Sequence, residues 1–174
     1  MKCNFKSPIN IFIDTSIVNN LLDLDKREHN DPTWEKNVRF LKILISGPVM
    51  SGEMVLYVNP SVKNQINDMN DIKRKEELLS KFGEFKFEEF NLTIFPFTFP
   101  ATFIAQEHSD LIETICKEHS KLESDRKIIA DAAFNEKIHV LLTTDKNLAH
   151  QVRKIGKVRF FLPEELWECY SLSR

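Results

Sequence analysis

The chain has 174 residues, 42% of them hydrophobic, which suffices for the core of about one domain. Its formal net charge is −2, so no overall positive field favours nucleic acid, and a site for a polyanion must be a local patch. No run approaches the roughly 18 apolar residues of a membrane span, so no membrane partner is expected. Cys3, Cys116 and Cys169 lie far apart without metal-ligand spacing, which predicts reduced thiols in a cytoplasmic protein.

The first predicted strand ends in a carboxylate. The apolar run at residues 11–13 is followed directly by Asp14 and by two hydroxyl residues, Thr15 and Ser16. An acid at this position is either the N-cap of the helix predicted from Ser16 to residue 24 or part of a functional site. The sequence at this point leaves both interpretations open.

Helices and strands then alternate along the chain. Thr33 is a candidate cap for a helix at 34–46, which Gly47 and Pro48 are expected to end, and a compact β-prone run follows at 54–58. A long polar helix is predicted at 62–82.

A region rich in phenylalanine interrupts this alternation. Seven phenylalanines lie between residues 83 and 103, and Pro96 either limits the strand predicted at 92–99 to an edge position or splits it. The rest of the chain predicts helices at 102–119 and 121–136, a strand at 139–143, a helix at 147–154, a strand at 158–161 and a helix at 163–170. Strands that alternate with helices indicate an α/β fold with a mainly parallel sheet between two helical layers.

Three acids from distant parts of the sequence are predicted to converge. Asp14 and Asp145 follow apolar strands, and parallel sheets bind ligands beyond the carboxyl ends of their strands. Asp125 opens a helix in which Ile128 and Ala132 can pack on the sheet, and this packing leaves Asp125 near the strand ends. Each acid alone has a simpler role, as a cap, a first-turn charge or a turn residue.

Converging carboxylates repel one another unless protons or a cation offset their charge. Mg²⁺ or Mn²⁺ prefers oxygen ligands and can support hydrolysis of a phosphodiester bond. Asp131 lies six residues after Asp125 and points to another side of the helix, where Lys127 is its natural partner.

At these residues the chain resembles the PIN-domain family of metal-dependent ribonucleases. The segment 11–16 is similar to the strand-Asp-Thr-Ser start of the family, and 125–132 is similar to its third acidic motif. The segment 142–145 is similar to the Thr-x-Asp motif, and 160–166 to the last strand and helix. Each motif is short, but their order and spacing extend over nearly the whole chain.

The resemblance implies a single PIN-like domain over residues 1–174, with a three-layer α/β/α fold and a Phe-rich variable region at about 83–103. It implies a Mg²⁺- or Mn²⁺-dependent endoribonuclease that hydrolyses single-stranded or structured RNA, with Asp14, Asp125 and Asp145 as metal ligands and catalytic residues. Ser16 and Thr143 are expected to support the carboxylates by hydrogen bonds. Two further partners stay open: a second copy of the chain in a homodimer, and a protein inhibitor of the antitoxin type.

One departure from the family concerns the helix after the second strand, where the family commonly places a glutamate. Gln65 is the best match for that residue, with Asn64 and Asp68 as neighbouring candidates. An amide offers an oxygen ligand without charge, which weakens binding of a divalent ion. Gln65 and the aromatic region therefore motivate an alternative: a non-catalytic PIN-like module that binds RNA or a protein.

Two remaining interpretations concern phosphate chemistry. Candidate phosphate contacts are Arg126, Lys127, Lys146, Arg153 and Lys154. A phosphatase that uses Asp14 as a covalent nucleophile is a second alternative to the ribonuclease. Such an enzyme is expected to carry a second acid two residues later, where this chain has Ser16.

Overall fold

The computed structural model describes residues 5–22, 31–58, 62, 66–84, 88–89, 110, 128–129, 132, 135 and 137–173. Its strands are β1 (Ile9–Ile13), β2 (Met54–Val58), β3 (Glu88–Glu89), β4 (Val140–Leu142), β5 (Lys154–Ile155) and β6 (Val158–Phe161). They form one sheet in the order β3-β2-β1-β4-β6-β5. Every pairing in it is parallel except that of β5 with β6. This mixed α/β fold with a mostly parallel sheet agrees with the prediction and is compatible with three layers.

The register of the sheet places several strand ends side by side. Ile13 of β1 pairs with Leu142 of β4, and Leu142 pairs with Phe161 of β6. Because these strands are parallel, the residues that follow them meet at one edge of the sheet. Asp14 and Thr143 are the first residues after β1 and β4, so the fold brings them to the same edge.

The α-helices whose bounds the structure describes are α1 (Thr15–Leu22), α2 (Pro32–Leu44), α3 (Ile72–Glu84) and α4 (Pro163–Ser171). The cap of α2 is Asp31, whose carboxylate accepts a hydrogen bond from the Thr33 amide at 2.8 Å, so the prediction of Thr33 as the cap was wrong. Nor does Pro48 end this helix. The chain continues as a π-helix, Ile45–Val49, in which the Met50 amide donates to the Ile45 carbonyl across a wider turn.

The predicted long helix at 62–82 is interrupted. Ile66 and Asn67 are helical, but the chain leaves the helix at Asp68 and begins α3 only at Ile72. Asp71 caps α3, because its carboxylate accepts a hydrogen bond from the Arg74 amide at 3.0 Å. A hydrogen bond between an aspartate side chain and the backbone competes with the hydrogen bonds of a continuous helix, and this explains why the chain starts a new helix after Asp71.

The helix predicted at 147–154 is also shorter than expected. A π-helix, Leu148–Val152, ends where Arg153 adopts a positive φ of 47°. Lys154 then belongs to β5, a strand that the sequence did not predict. Gly156 lies in the turn from β5 into β6 with a positive φ of 55°. A positive φ costs glycine little free energy because glycine has no Cβ.

Some predictions fall on the part of the chain that the structure leaves undescribed. The strand at 92–99 and most of the Phe-rich region lie outside the described residues, as do most of the two helices that follow. Ile128, Ile129 and Ala132 are described, and all three are helical and buried in the core. They form the apolar side of a helix, as the sequence predicted.

The cysteine prediction needs a correction. Cys169, buried in α4, is disulfide-bonded, and its partner lies outside the described residues. The inference of reduced thiols was therefore wrong, and it no longer supports a cytoplasmic location. Among the described helices, none has the length and apolar character needed to cross a membrane.

Two asparagines are buried in helices. Asn20 of α1 is 8% exposed and Asn37 of α2 is 7% exposed, and within the described ranges neither side-chain amide makes a hydrogen bond. A buried amide without a partner costs about 1–3 kcal/mol, so the contacts described for these two side chains do not account for their burial.

We expect Asn37→Leu to raise the free energy of unfolding by about 1 kcal/mol, because a leucine of similar size replaces a buried amide that has no partner among the described residues. Urea-induced unfolding measures the change. Asn10→Leu is the matched control. The side-chain Nδ2 of Asn10 donates to the Lys137 carbonyl at 2.9 Å, so this variant is expected to lose stability. A loss of stability in Asn37→Leu would contradict the prediction and show that the amide has a partner.

Candidate functional site

Asp14 lies at the junction of β1 and α1 and is 5% exposed. Its backbone amide donates to the Leu142 carbonyl at 3.2 Å, which holds the end of β1 against the end of β4. The apolar strand thus ends in an acid that is buried beside a second strand, and the position needs a physical explanation because buried carboxylates are costly.

Three hydrogen bonds fix the Asp14 carboxylate. Its Oδ1 accepts from Ser16 Oγ at 2.6 Å and from the Ile17 amide at 3.0 Å, while its Oδ2 accepts from Thr143 Oγ1 at 2.5 Å. The Ile17 contact is that of an N-cap for α1. Asp14 is therefore a helix cap, and it also reaches the end of β4, so the two interpretations of this acid are compatible.

The two hydroxyl groups connect Asp14 to the loop after β4. Ser16 Oγ accepts from the Thr144 amide at 2.9 Å, and Thr143 Oγ1 accepts from the Asp145 amide at 3.0 Å. A hydroxyl has a single proton, and here each one is donated to Asp14. Asp14 is consequently surrounded by donors, an arrangement that suits a carboxylate.

Burial nevertheless raises the pKa of Asp14 above its ordinary value. The hydrogen bonds from Ser16, Thr143 and Ile17 oppose that rise without cancelling it. Within the described residues, Asp14 forms no ion pair with a lysine or an arginine. A cation bound at this edge would offset the charge that burial disfavours.

Asp145 begins the helical segment after β4. Its Oδ1 accepts hydrogen bonds from the amides of Asn147 at 2.7 Å and Leu148 at 3.3 Å, so it caps that segment. Among the described contacts, none involves its Oδ2. The side chain is only partly buried, which leaves this oxygen available to a ligand.

The structure therefore brings together two of the predicted site residues. Asp14 and Asp145 meet through Thr143, which donates to the carboxylate of one and accepts from the backbone amide of the other. Asp68 is exposed and has no described contact with either acid. The remaining candidates lie outside the described residues: Asn64, Gln65, Asp125 and Asp131.

The carboxylate oxygens at this edge suit a hard divalent cation as ligands. Carboxylate oxygens are the ligands that Mg²⁺ and Mn²⁺ prefer, and Asp14 is a buried acid without a described cationic partner. No group of three metal-binding side chains occurs among the residues with described positions. Asp14 and Asp145 thus fit part of a metal site that needs at least one more ligand from elsewhere in the chain.

Further contacts hold the segment that follows Asp145. His150 Nε2 lies 3.0 Å from Glu165 Oε1, and Glu165 Oε2 accepts a hydrogen bond from the Leu162 amide at 3.0 Å. In addition, Lys36 of α2 pairs with Glu164 of α4 at 2.6 Å. These contacts attach the helical segment and α2 to the beginning of α4, which follows β6 at the same edge of the sheet.

The sequence missed part of this arrangement. It predicted hydrogen bonds from Ser16 and Thr143 to a carboxylate, and both are observed. It did not predict the hydrogen bonds that the two hydroxyls accept from backbone amides of the loop after β4. The sequence also did not predict that Asn20, one helical turn after Ser16, is buried without a described partner. The only signal for Asn20 was a polar residue within an otherwise apolar helix.

The proposed phosphate contacts are divided between described and undescribed residues. Lys146, Arg153 and Lys154 are exposed, and Arg153 Nε donates to the His150 carbonyl at 3.1 Å. Arg126 and Lys127 lie outside the described residues.

Comparisons of the chain with models of protein families, with curated proteins and with solved structures gave no match. The resemblance to PIN domains rests on the sequence motifs alone, and membership of that family stays a prediction.

Proposed function

We propose that this chain is a PIN-like endoribonuclease that uses Mg²⁺ or Mn²⁺ to hydrolyse phosphodiester bonds of RNA. The observation that supports the proposal most is the Asp14 carboxylate, which is buried, held by three donors and without a described cationic partner. A purely structural cap does not require burial of this kind, since an exposed aspartate such as Asp31 caps α2 equally well.

In this proposal Asp14, Asp145 and Asp125 hold the ion, and the Gln65 side-chain oxygen is a further candidate ligand. When bound, such an ion favours deprotonation of water and stabilises the charge on the leaving oxygen. Oxygen ligands with a net negative charge are the set that this chemistry needs.

The hydroxyl residues orient the acids and do not react. Ser16 Oγ and Thr143 Oγ1 donate their protons to Asp14 and accept hydrogen bonds from the loop after β4. This pattern maintains Asp14 as an acceptor and couples its position to that of Asp145. Neither hydroxyl is assigned as a nucleophile, because each oxygen also accepts a backbone hydrogen bond from the loop after β4 and Thr143 is fully buried.

Single-stranded RNA is the preferred substrate, because its exposed backbone can approach carboxylates at the edge of a sheet. A homodimer and an antitoxin-type inhibitor stay predictions from the resemblance, and no described contact adds support to them.

Cleavage of a panel of single-stranded RNAs tests the proposal, with Mn²⁺, Mg²⁺ or a chelator in the buffer. We expect wild type to cleave only with metal. Asp14→Asn should lose more activity than the roughly 10–100-fold that outer-shell changes cost. Asp31→Asn is the matched control, because it makes the same change at an exposed helix cap that has no described contact with the site, and it should keep its activity.

The second candidate is a non-catalytic module that binds RNA or a protein, and the neutral Gln65 favours it. Binding of RNA by folded wild type without cleavage under any metal condition would replace the nuclease by this candidate. Gln65→Glu then provides a further comparison, since adding the missing charge should increase metal-dependent cleavage if the site is merely weak.

A further inference from the structure

The disulfide bond of Cys169 connects α4 to a distant part of the chain. The sequence contains three cysteines, so the partner of Cys169 is either Cys3 or Cys116. Cys169 is 4% exposed and belongs to the hydrophobic core, so its sulfur lies on the inner side of α4. The Cα atoms of two residues joined by a disulfide lie within about 7 Å of each other. The position of α4 on the sheet therefore restricts the choice of partner.

α4 covers the same face of the sheet as α1 and α2. Ile11, Leu56 and Leu142 from three neighbouring strands surround one small cavity together with Leu21 of α1 and Leu41 of α2. Both helices therefore lie on the face to which these three strand residues point, and we call it the α2 face. α4 packs along α2 and against β6, the strand from which it emerges, so it lies on the α2 face as well.

The segment before β1 reaches the α2 face too. Phe161 of β6 points to this face because it pairs with Leu142 in parallel register, and Arg159, two residues earlier, points the same way. The centre of the Phe5 ring lies 6.3 Å from that of the Phe161 ring and 5.5 Å from Arg159 Cζ. Phe5 thus packs on the strand that leads into α4, on the face that α4 covers. Cys3 precedes Phe5 by two residues, which span at most about 7 Å.

Cys116 belongs to the connection from β3 to β4, which the topology predicts on the opposite face. A connection between parallel strands of one sheet is right-handed in nearly all proteins. The connection from β1 to β2 moves along the sheet towards β3 and carries α1 and α2, whereas that from β3 to β4 moves back in the other direction. Two right-handed connections that move in opposite directions lie on opposite faces, so the sheet is predicted to separate Cys116 from Cys169.

A bond between Cys116 and Cys169 is the alternative, and it would have to pass round an edge of the sheet. Elements on opposite faces are separated by the sheet and by a layer of side chains on each side of it. That separation exceeds the distance of about 7 Å that a disulfide spans between Cα atoms. Because Cys169 is buried within the α2 face, the segment before β1 provides the more accessible partner.

We propose that Cys3 and Cys169 form a disulfide that clamps the segment before β1 onto α4, and that Cys116 is a free thiol. The clamp closes a loop over residues 3–169, nearly the whole chain. It forms by thiol–disulfide exchange: the two thiols give two electrons and two protons to a small-molecule disulfide such as oxidised glutathione, which leaves as two thiols. α4 in turn contacts the helical segment after β4 through Glu165, so the clamp also supports the carboxylate edge. It is independent of any nuclease activity.

Peptide mapping of the full wild-type chain tests the pairing directly. The protein is equilibrated with oxidised glutathione, its free thiols are alkylated, and it is digested without reductant. We expect mass spectrometry to find a peptide with Cys3 linked to a peptide with Cys169, together with an alkylated Cys116. Dithiothreitol before alkylation should remove the linked mass. A link between Cys116 and Cys169, or Cys169 without a link to another cysteine of the chain, would overturn the proposal.

Thermal melting measures what the clamp contributes to stability. Without reductant, Cys3→Ser should melt about 10 °C or more below wild type, because closing so long a loop removes much of the entropy of the unfolded chain. Cys116→Ser is the matched control and should melt with wild type. Dithiothreitol should lower wild type and Cys116→Ser to the melting temperature of Cys3→Ser and leave Cys3→Ser unchanged. The opposite order of the two serine variants, or no difference between them, would contradict the clamp.

Discussion

Asp14→Asn is expected to gain in melting temperature relative to wild type as the pH rises towards neutral in chelator, and to lose relative to wild type once Mn²⁺ is present. Burial is the largest influence on the pKa of the Asp14 carboxyl group, and it raises that pKa above the ordinary 3.8. The charged form is therefore disfavoured in the folded protein at neutral pH. Asparagine has nearly the same shape and no charge, but its Nδ2 donates and so does not accept one of the hydrogen bonds that the carboxylate accepts, a loss that does not depend on pH.

The dependence on pH follows from the sign of the shift. A pKa that is higher in the folded state means that protonated Asp14 contributes stability in full below 3.8, and that this stability is lost as pH rises through the folded-state pKa. Asparagine does not titrate. The melting temperature of Asp14→Asn minus that of wild type should thus rise from acid towards neutral pH.

Mn²⁺ should raise the melting temperature of wild type more than that of Asp14→Asn, because only wild type retains the charged ligand. Binding at 100 times the dissociation constant stabilises a protein by about 2.7 kcal/mol, and 1 kcal/mol corresponds to about 2–4 °C for a chain of this size. Differential scanning calorimetry across a Mn²⁺ series measures both effects. An equal gain in melting temperature for Asp14→Asn would mean that Asp14 does not hold the ion, and Asp31→Asn should respond to Mn²⁺ as wild type does.

Thr143→Val is expected to lower the free energy of unfolding by about 2–4 kcal/mol in chelator and to weaken the response to Mn²⁺. Thr143 is 0% exposed, and its hydroxyl joins Asp14 Oδ2 to the Asp145 amide. Valine has nearly the same shape, so no cavity forms. The cost arises from two buried polar groups that lose their shared partner.

Thr143→Ser provides the comparison for this variant. Serine keeps the hydroxyl and loses a methyl group, which should cost about 1 kcal/mol. Urea unfolding gives the stabilities, and the Mn²⁺-induced rise in melting temperature gives the response of the site. If valine costs no more than serine in both measurements, the hydroxyl does not link the two acids.

The parts of the fold that the sequence predicted are those that depend on local patterns. The strands β1, β2, β4 and β6 were visible as short apolar runs, and Asp14 and Asp145 stood out because an acid ended such a run. The break before α3 was missed, because helical periodicity continues through the segment that Asp71 interrupts by capping.

Other features depend on neighbours that are distant in sequence. β5 has only two residues and exists through its pairing with β6 and the turn at Gly156. The hydroxyl bridge between Asp14 and Asp145 requires that β1 and β4 be adjacent, which no single motif specifies. The burial of Asn20 and Asn37 similarly results from packing between elements, and a pattern of polar and apolar residues does not show whether an amide finds a partner.

The hydrogen bond from Thr143 to Asp14 spans 129 positions of the chain, which determines when the carboxylate pair can form. Contacts of such separation carry a large loop-closure cost and are made late in folding. During synthesis, Asp14 leaves the ribosome long before Thr143 and Asp145 do. The growing polypeptide therefore lacks the paired acids until its last third has been made and has folded back onto β1, and any activity of this edge is delayed until that event.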